Sequence, residues 1–411
     1  MQRGCSIFFY EGYVALAPTI INISKILDKC GYLVSLFATQ HKEIPQPERI
    51  GTGVKIVDFP TPSKLYLLLN RPGLRIFGEI LNLIIFCFRC FAELSQSHYK
   101  TEKLKSNINI GIDLHGSVIA LISLFLLKQK FIFLSLELPA ELPQKTKTVF
   151  KPFIEITKLA YRKSEAVIVQ DEDRFKTLCK YYDYQHPKVF YLPNSPLNDF
   201  SHKANTENFF REKFSLSEEE FPYIVLYAGI LHEVVYSKAL AHAFNSIASE
   251  YVLIFHGVAP KGFKEEDPYI QSLRQLNSKN LYLSLQPLPY DQVDKIYASS
   301  TIGVAFYANQ DDNYTKIAKA SGKLAQYLKH GKPVLLSNLP SLNQLVEKYP
   351  FGIVIKNPSD AEEIKLAIAQ IINYYDEYSK NARLCFEAEF NFEKHIEPIL
   401  SFMDSLQADV I

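Results

Sequence analysis

The chain has 411 residues, of which 47% are hydrophobic and 22% charged, and its formal net charge is +1. A length of this size favours two domains at roughly 100–200 residues each, and the apolar fraction is enough to fill two cores. The near-neutral balance lacks the basic excess of a nucleic-acid binder, so no nucleic-acid partner is expected; the lack of long like-charge blocks argues against wholesale disorder.

The chain opens on a short apolar run, Cys5–Phe9, closed by Glu11, which is too short for the core of a signal peptide. From there, β-branched and aromatic runs alternate with helix-period segments. Strands are expected at Cys5–Phe9, Leu33–Ala38, Val54–Phe59, Ile108–Leu114, Phe131–Leu136, Ala166–Gln170 and Val189–Leu192. Helices are expected at Thr19–Lys29, Arg75–Leu94, Val118–Leu127, Pro152–Lys163 and Asp171–Tyr182. Near-continuous apolar strands separated by helices predict a buried parallel sheet with helices on both faces.

Two of the helical segments are almost unbroken hydrocarbon, Leu81–Ala92 and Val118–Leu127. Both fall well short of the ~20 residues that span a bilayer. They read either as buried helices or as an amphipathic surface that dips into one leaflet, helped by Arg71, Arg75 and Arg89. The six cysteines, Cys5, Cys30, Cys87, Cys90, Cys179 and Cys385, show no disulfide-framework spacing, which fits a reducing, cytoplasmic compartment. Cys87 and Cys90 form a C-x-x-C inside an apolar run and are expected to be ordinary buried thiols.

A polar stretch from Asn198 to Glu220 reads as a linker with a short helix, after which the alternation restarts. Strands are expected at Tyr223–Ala228, Tyr251–His256, Leu281–Leu285, Ile302–Ala305, Pro333–Ser337 and Gly352–Ile355. The helices between and after them are expected at Ser237–Ala248, Asp291–Tyr297, Gly322–His330, Leu339–Glu347 and Ala361–Tyr374, followed by a polar-rich helical tail to about Met403. The expected layout is therefore an N-terminal Rossmann-like domain over 1–200, a C-terminal one over 201–375, and a helical segment 376–411 that returns toward the N-terminal domain. Ligands of open α/β sheets bind outside the carboxyl ends of the strands, so two such domains facing a central cleft predict a small-molecule site there.

The most informative stretch runs from Lys319 to Val334, KASGKLAQYLKHGKPV. Ser321 and Gly322 open a helix, Lys323 stands in its first turn, and Gln326 lies three residues on, so the two side chains share a face. Gly331 and Pro333 supply the stop signals. A helix N-terminus offers unpaired N–H groups and a partial positive charge. A lysine there opposes the helix dipole, which points to an anion between the two; a diphosphate fits, with Gln326 placed to bond ribose hydroxyls.

This stretch resembles the S-P-x-K-L-x-E-Y-L-A-x-G-K-P-V segment of family-4-like GT-B glycosyltransferases. Lys323 matches the lysine that meets the donor diphosphate, Leu324 follows it as in the family, Ser321 and Gly322 stand just before it as further donor-site candidates, and Gln326 stands where the ribose-binding Glu is expected. Leu226-Tyr-Ala-Gly229 and Lys238-Ala-Leu resemble the family's Y-x-G and R-G-L elements, which makes Gly229 and Lys238 candidate donor contacts. Leu192-Pro-Asn-Ser-Pro196 is similar to the junction stretch I-P-N-x-P, with Asn194 at the Asn. Ala166–Asp171, Phe255–Gly257 and Leu285–Tyr290 resemble further landmarks in the expected order.

In the N-terminal half the likeness is looser. The loop Tyr10–Pro18 falls where the family has a Gly-rich donor loop and keeps only Gly12, which reads as a ligand contact or as a turn residue. Ile110–Gly116 resembles a D-x-x-H-x-H-G strand end, with Asp113, His115 and Gly116 at the tip. Phe133–Glu141 resembles Y-D-x-H-E-L-x-x-E, with Glu137 and Glu141 as its acids and Leu136 in place of its His. The resemblance implies a fold of two Rossmann-like parallel-sheet domains and transfer of a sugar from a nucleoside diphosphate sugar to a hydroxyl, with retention, in polysaccharide or glycolipid synthesis. His115 and Glu137 are its candidate catalytic residues. It implies no cofactor beyond the nucleotide-sugar co-substrate and no metal, in keeping with the lack of a His/Cys metal cluster in the sequence. The acceptor is open, with a lipid-linked one and a peripheral position on the inner face of the membrane as the expectation from Leu65–Ala92. Two other readings stay open: a catalytically quiet GT-B binding subunit, suggested by Gln326 and Leu136, and a GT-B nucleotide-sugar epimerase.

Overall fold

The computed structural model describes residues 2–40, 47, 49–60, 71, 74–100, 104–139, 144–198, 208–247, 250–258, 266–286 and 288–408. The chain divides into two compact units: Met1–Leu192 together with Lys394–Ile411, and Pro193–Glu393.

The first unit is built on seven strands, β1 (Gln2–Phe9), β2 (Tyr32–Gln40), β3 (Val54–Pro60), β4 (Leu104–Ile112), β5 (Phe131–Leu134), β6 (Val167–Val169) and β7 (Val189–Tyr191). They lie in the order β3-β2-β1-β4-β5-β6-β7, and every pairing is parallel. The helices are α1 (Pro18–Lys29), α2 (Arg75–Lys100), α3 (Asp113–Leu127), α4 (Gln144–Lys163) and α5 (Glu172–Tyr182). The chain steps from β1 out to β3 in one direction, then returns past β1 and runs on to β7. Right-handed crossovers put α1 on one face and α2 to α5 on the other. The C-terminal helix, Phe392–Ala408, joins this unit: Asp404 accepts from Tyr32 Oη at 2.8 Å and pairs with Arg3 at 2.6 Å, and the Phe402 ring meets Phe190 at 5.4 Å.

The strand interiors β5 and β6 are buried throughout, as the uninterrupted apolar runs require. One boundary differs from the sequence reading. The strand expected to run to Leu114 ends at Ile112, and α3 begins at Asp113 rather than Val118. Asp113 has a positive φ of 51°, which breaks the strand; the apolar run through it hides the break. Pro152 falls inside α4 rather than at its start, because the helix already begins at Gln144. Cys87 and Cys90 are half-buried and buried on α2; burial pushes the Cys87 thiol up to about 11 and the Cys90 thiol up further.

The second unit carries β8 (Tyr223–Ile230), β9 (Tyr251–Val258), β10 (Leu281–Ser284), β11 (Ile302–Ala305), β12 (Val334–Ser337) and β13 (Gly352–Ile355), ordered β10-β9-β8-β11-β12-β13 and again all parallel. Its helices are α6 (Phe209–Phe214), α7 (Ser237–Phe244), α8 (Pro268–Arg274), α9 (Asp294–Ala298), α10 (Asp312–Thr315), α11 (Gly322–Lys329), α12 (Pro340–Lys348), α13 (Ala361–Asn373) and α14 (Tyr375–Cys385). A π-helical turn, Phe386–Phe390, follows α14. Each sheet reverses its strand order once, at β1/β4 and at β8/β11. The crevice at such a reversal is where open α/β sheets bind ligands.

Candidate functional site

In the second unit the segments that carry the sequence signal meet at the β8/β11 reversal. Helix α11 follows β11 after a connection that carries α10, and its N-terminus is closely tied down. Ser321 caps it, its Oγ accepting from Leu324 N at 3.2 Å, and the Tyr307 hydroxyl bonds the same Oγ. Asn194 straddles the turn just before, its N–H donating to Lys319 O at 2.8 Å and its Nδ2 to Ala320 O at 3.1 Å. Gly322 sits directly under that amide: a Cβ there would lie 3.3 Å from Asn194 Nδ2. Asn194, Ser321 and Gly322 thus form one local structure. Leu324 belongs to the core, fully buried, and its N–H is used by the cap. It fixes the turn from below.

Lys323 leaves the first turn of α11 and enters an aromatic cage. Its Nζ lies 3.9 Å from the ring centroid of Tyr227 and 4.8 Å from that of Tyr307, and donates to Tyr227 Oη at 2.7 Å. It forms no ion pair with a described residue. Cation–π contact offsets part of the cost of holding the charge there, but burial still lowers the ammonium from its usual range to about 7. The end of β8 lies against it. Gly229, at φ +133°, occupies backbone that side chains rarely adopt, and a Cβ there would stand 3.5 Å from Lys323 Nζ.

Gln326 is buried on the same helix, and its Oε1 finds no hydrogen-bond partner among the described residues. An orphaned buried acceptor of this kind costs about 1–3 kcal/mol. Its neighbour Tyr327 serves the scaffold: the hydroxyl donates to Leu226 O at 2.7 Å and accepts from Ala228 N at 3.1 Å, tying α11 to β8. Lys238 stands half-buried in the first turn of α7, forms no ion pair with a described residue, and makes no contact that joins it to the Lys323 cage. The loop Leu285–Tyr290 is described except for residue 287.

In the first unit the candidates meet at the other reversal, β1/β4. Gly12 (φ +75°) packs its backbone on the end of β2, where a Cβ would fall 2.0 Å from Thr39 O; the turn demands a glycine irrespective of any ligand. Asp113 accepts from Leu136 N at 2.7 Å and Glu137 N at 3.1 Å, which pins the tip of β5 to the start of α3. Burial, and then the nearby Glu11 carboxylate, raise Asp113 well above the ordinary aspartate range. Glu137 is exposed at that tip, whereas Glu141 lies outside the described residues. His115 bonds Glu11 Oε1 through Nδ1 at 2.9 Å, a partner the sequence reading missed. The two are 104 positions apart, and no spacing rule connects them; only the pairing of β1 with β4 brings them together.

Among the described residues no group of three or more His, Cys, Asp or Glu side chains is placed to hold a metal ion, and no helix is long and apolar enough to cross a membrane.

No protein-family model matches the sequence, and no curated protein matches it. Solved structures do match over nearly its whole length. Sucrose-phosphate synthase from Thermosynechococcus elongatus is 14% identical, with a TM-score of 0.70 over 99% of this chain and 100% of that one. HepE from Anabaena, in complex with UDP and glucose, is 15% identical, with a TM-score of 0.64 over 98% of this chain and 99% of that one. WaaG, a glycosyltransferase involved in lipopolysaccharide biosynthesis, is 13% identical, with a TM-score of 0.58 over 95% and 96%. The chain has the GT-B fold that the sequence reading expected: two α/β units, each on a parallel sheet.

Proposed function

We propose that the protein is a glycosyltransferase that takes its sugar from a nucleoside diphosphate sugar, with the diphosphate bound at the N-terminus of α11. The observation that carries this reading is Lys323: a cation enclosed by two tyrosines, without a counter-ion among the described residues, on the first turn of a capped helix. Such a place is electrostatically incomplete. An anion there gains the helix N–H groups, the dipole and the ammonium together, and in the transfer step these groups stabilise the charge developing on the leaving diphosphate. The buried Gln326 Oε1 supplies an acceptor for a ribose hydroxyl. Gly229 lets a ligand approach the backbone of β8 closely. A uridine nucleotide is the first candidate, since HepE is solved with UDP and with UDP-glucose.

By resemblance the transfer retains anomeric configuration and needs no metal. The acceptor side remains a proposal from one surface. Helix α2 exposes Phe77, Ile80, Leu81, Ile84 and Phe88 along one stripe, Phe77 and Phe88 at 72% and 73%. An amphipathic stripe of this kind suits peripheral contact with a lipid surface carrying the acceptor. Of the three arginines expected to help, Arg71 is exposed, the side chain of residue 75 is outside the described set, and Arg89 is tied back to Pro60 O at 2.8 Å and to the Phe59 ring.

Product analysis with labelled UDP-glucose, with and without membrane lipid extract, tests the reading. Label moved to an acceptor with release of UDP supports it. An epimerised nucleotide sugar formed without acceptor points to the epimerase. A donor that binds and stays intact under both conditions points to the quiet subunit.

A further inference from the structure

We infer that Glu11 is a positioning residue, holding the His115 imidazole in one tautomer so that Nε2 faces outward as an acceptor for a sugar hydroxyl; the ligand class rests on the glycosyl-transfer reading above, the positioning does not. Glu11 follows β1 and His115 stands in the first turn of α3, so the sheet reversal alone sets their distance. Nδ1 and Glu11 Oε1 are 2.9 Å apart. An ionised carboxylate only accepts hydrogen bonds, so Nδ1 carries the proton and Nε2 of the neutral ring keeps its lone pair. Two aromatic rings pack beside it. Tyr10 lies 4.7 Å from it and Phe153, on α4, 5.4 Å, both inclined to its plane by less than 40°. Tyr10 is itself fixed, its hydroxyl accepting from Asn82 Nδ2 at 2.9 Å. The His115 side chain stays 34% exposed and its Nε2 makes no hydrogen bond with a described residue.

Among the described residues the acids at this end of the sheet are Glu11, which bonds the ring, Asp113 two residues before His115 on α3, and Glu137 at the tip of β5, whose N–H bonds Asp113. Asp113 spends its carboxylate on two backbone amides, which leaves Glu11 as the acid that addresses the imidazole. A base oriented by a carboxylate through its second nitrogen is a recurrent way to fix which nitrogen meets substrate. The sugar hydroxyl donates to Nε2; its oxygen is thereby oriented, and no covalent step is required of the ring.

The test is nitrogen NMR on the full chain with labelled histidine, on wild type, Glu11→Gln and, for assignment, His115→Ala. The expected wild-type spectrum, taken at a pH where the ring is neutral, shows the His115 resonances of an Nδ1–H tautomer, and Glu11→Gln loses that preference while thermal stability changes little. Adding UDP-glucose, or UDP with glucose, shifts Nε2; UDP alone does not. A wild-type His115 in the Nε2–H tautomer, or a tautomer unaltered in Glu11→Gln, overturns the positioning role. Nε2 unmoved by UDP-glucose and by UDP with glucose, in a protein that UDP demonstrably stabilises, overturns the sugar contact. Failure of every nucleotide to bind sinks the donor reading and leaves the tautomer result standing. In turnover of UDP-glucose, Glu11→Gln is expected to lower kcat/KM by about tenfold with UDP affinity unchanged. The double variant with His115→Ala is expected to be no slower than His115→Ala alone, because a residue that acts through another is not additive with it; additive losses contradict the inference.

Discussion

The two tyrosines that enclose the Lys323 ammonium come from β8 and from the segment after β11, 96 and 16 positions away. Their packing has a measurable consequence. With the ammonium lowered to about 7, the ligand-free protein releases its proton as pH rises through neutrality, and an incoming diphosphate draws it back. UDP binding at pH 8 should therefore take up close to one proton, falling toward zero at pH 6, when measured by calorimetry in buffers of different ionisation enthalpy. Lys323→Ala should show no such uptake. The sign for folding is the opposite of that for a salt-bridged lysine. The unfolded chain holds this proton up to about pH 10.5, so the penalty of the buried charge weakens the fold below about pH 7 and is relieved as pH rises above it. Lys323→Met should flatten that dependence in denaturation experiments between pH 6 and 9.

At the scale of elements, α11 is held from both ends of its approach. Ser321 caps it, Asn194 latches the turn before it, and the π-helical turn clamps that turn from outside. Glu389 on the π turn pairs with Lys319 at 2.6 Å and Lys348 at 2.7 Å and accepts from Tyr349 Oη at 3.1 Å. Burial alone would raise its carboxyl, but the two lysines outweigh it and bring it down to about 2. A depressed carboxyl stabilises the fold above its unfolded value of 4.5, and the contribution fades as pH falls from there toward 2. Glu389→Gln should therefore cost about 1–3 kcal/mol at pH 7 and lose the acid-limb dependence in urea melts from pH 7 to 3. Ser321→Ala should cost about 1 kcal/mol through the lost cap and weaken UDP binding, because the same turn presents the N–H groups. On the other unit, Phe77→Asp with Phe88→Asp should leave the melting temperature within a degree or two and abolish flotation with anionic vesicles; flotation that survives both changes removes the support for a lipid-facing α2.

The strands were readable because parallel strands buried on both faces are continuous apolar runs: Ile302–Ala305 and Gly352–Ile355 were expected with the bounds they have. The start of α3 was not, because Ile112 and Leu114 continue the same hydrophobic pattern across the residue that turns the chain. Helix α8 escaped for the same kind of reason: its seven residues begin at a proline and carry too few apolar positions to show a period. The Glu11–His115 pair and the Glu389 clamp depend on strand order and on packing across 104 and 70 positions, and a linear pattern contains neither.

For the whole molecule, both candidate clusters lie where a parallel sheet reverses its strand order, one at β1/β4 and one at β8/β11. The same rule of chain path thus places the His115 group and the Lys323 group in their respective units. The donor site at α11 is tested most directly by a thermal-shift titration of wild type and Lys323→Ala with UDP, GDP, ADP and their common sugar conjugates. A ligand at one hundred times its dissociation constant adds about 2.7 kcal/mol of stability. The wild type is expected to be stabilised by one nucleotide class, and Lys323→Ala to lose that stabilisation. Stabilisation that is equal in both proteins, or absent with every nucleotide, would contradict a donor diphosphate at the N-terminus of α11.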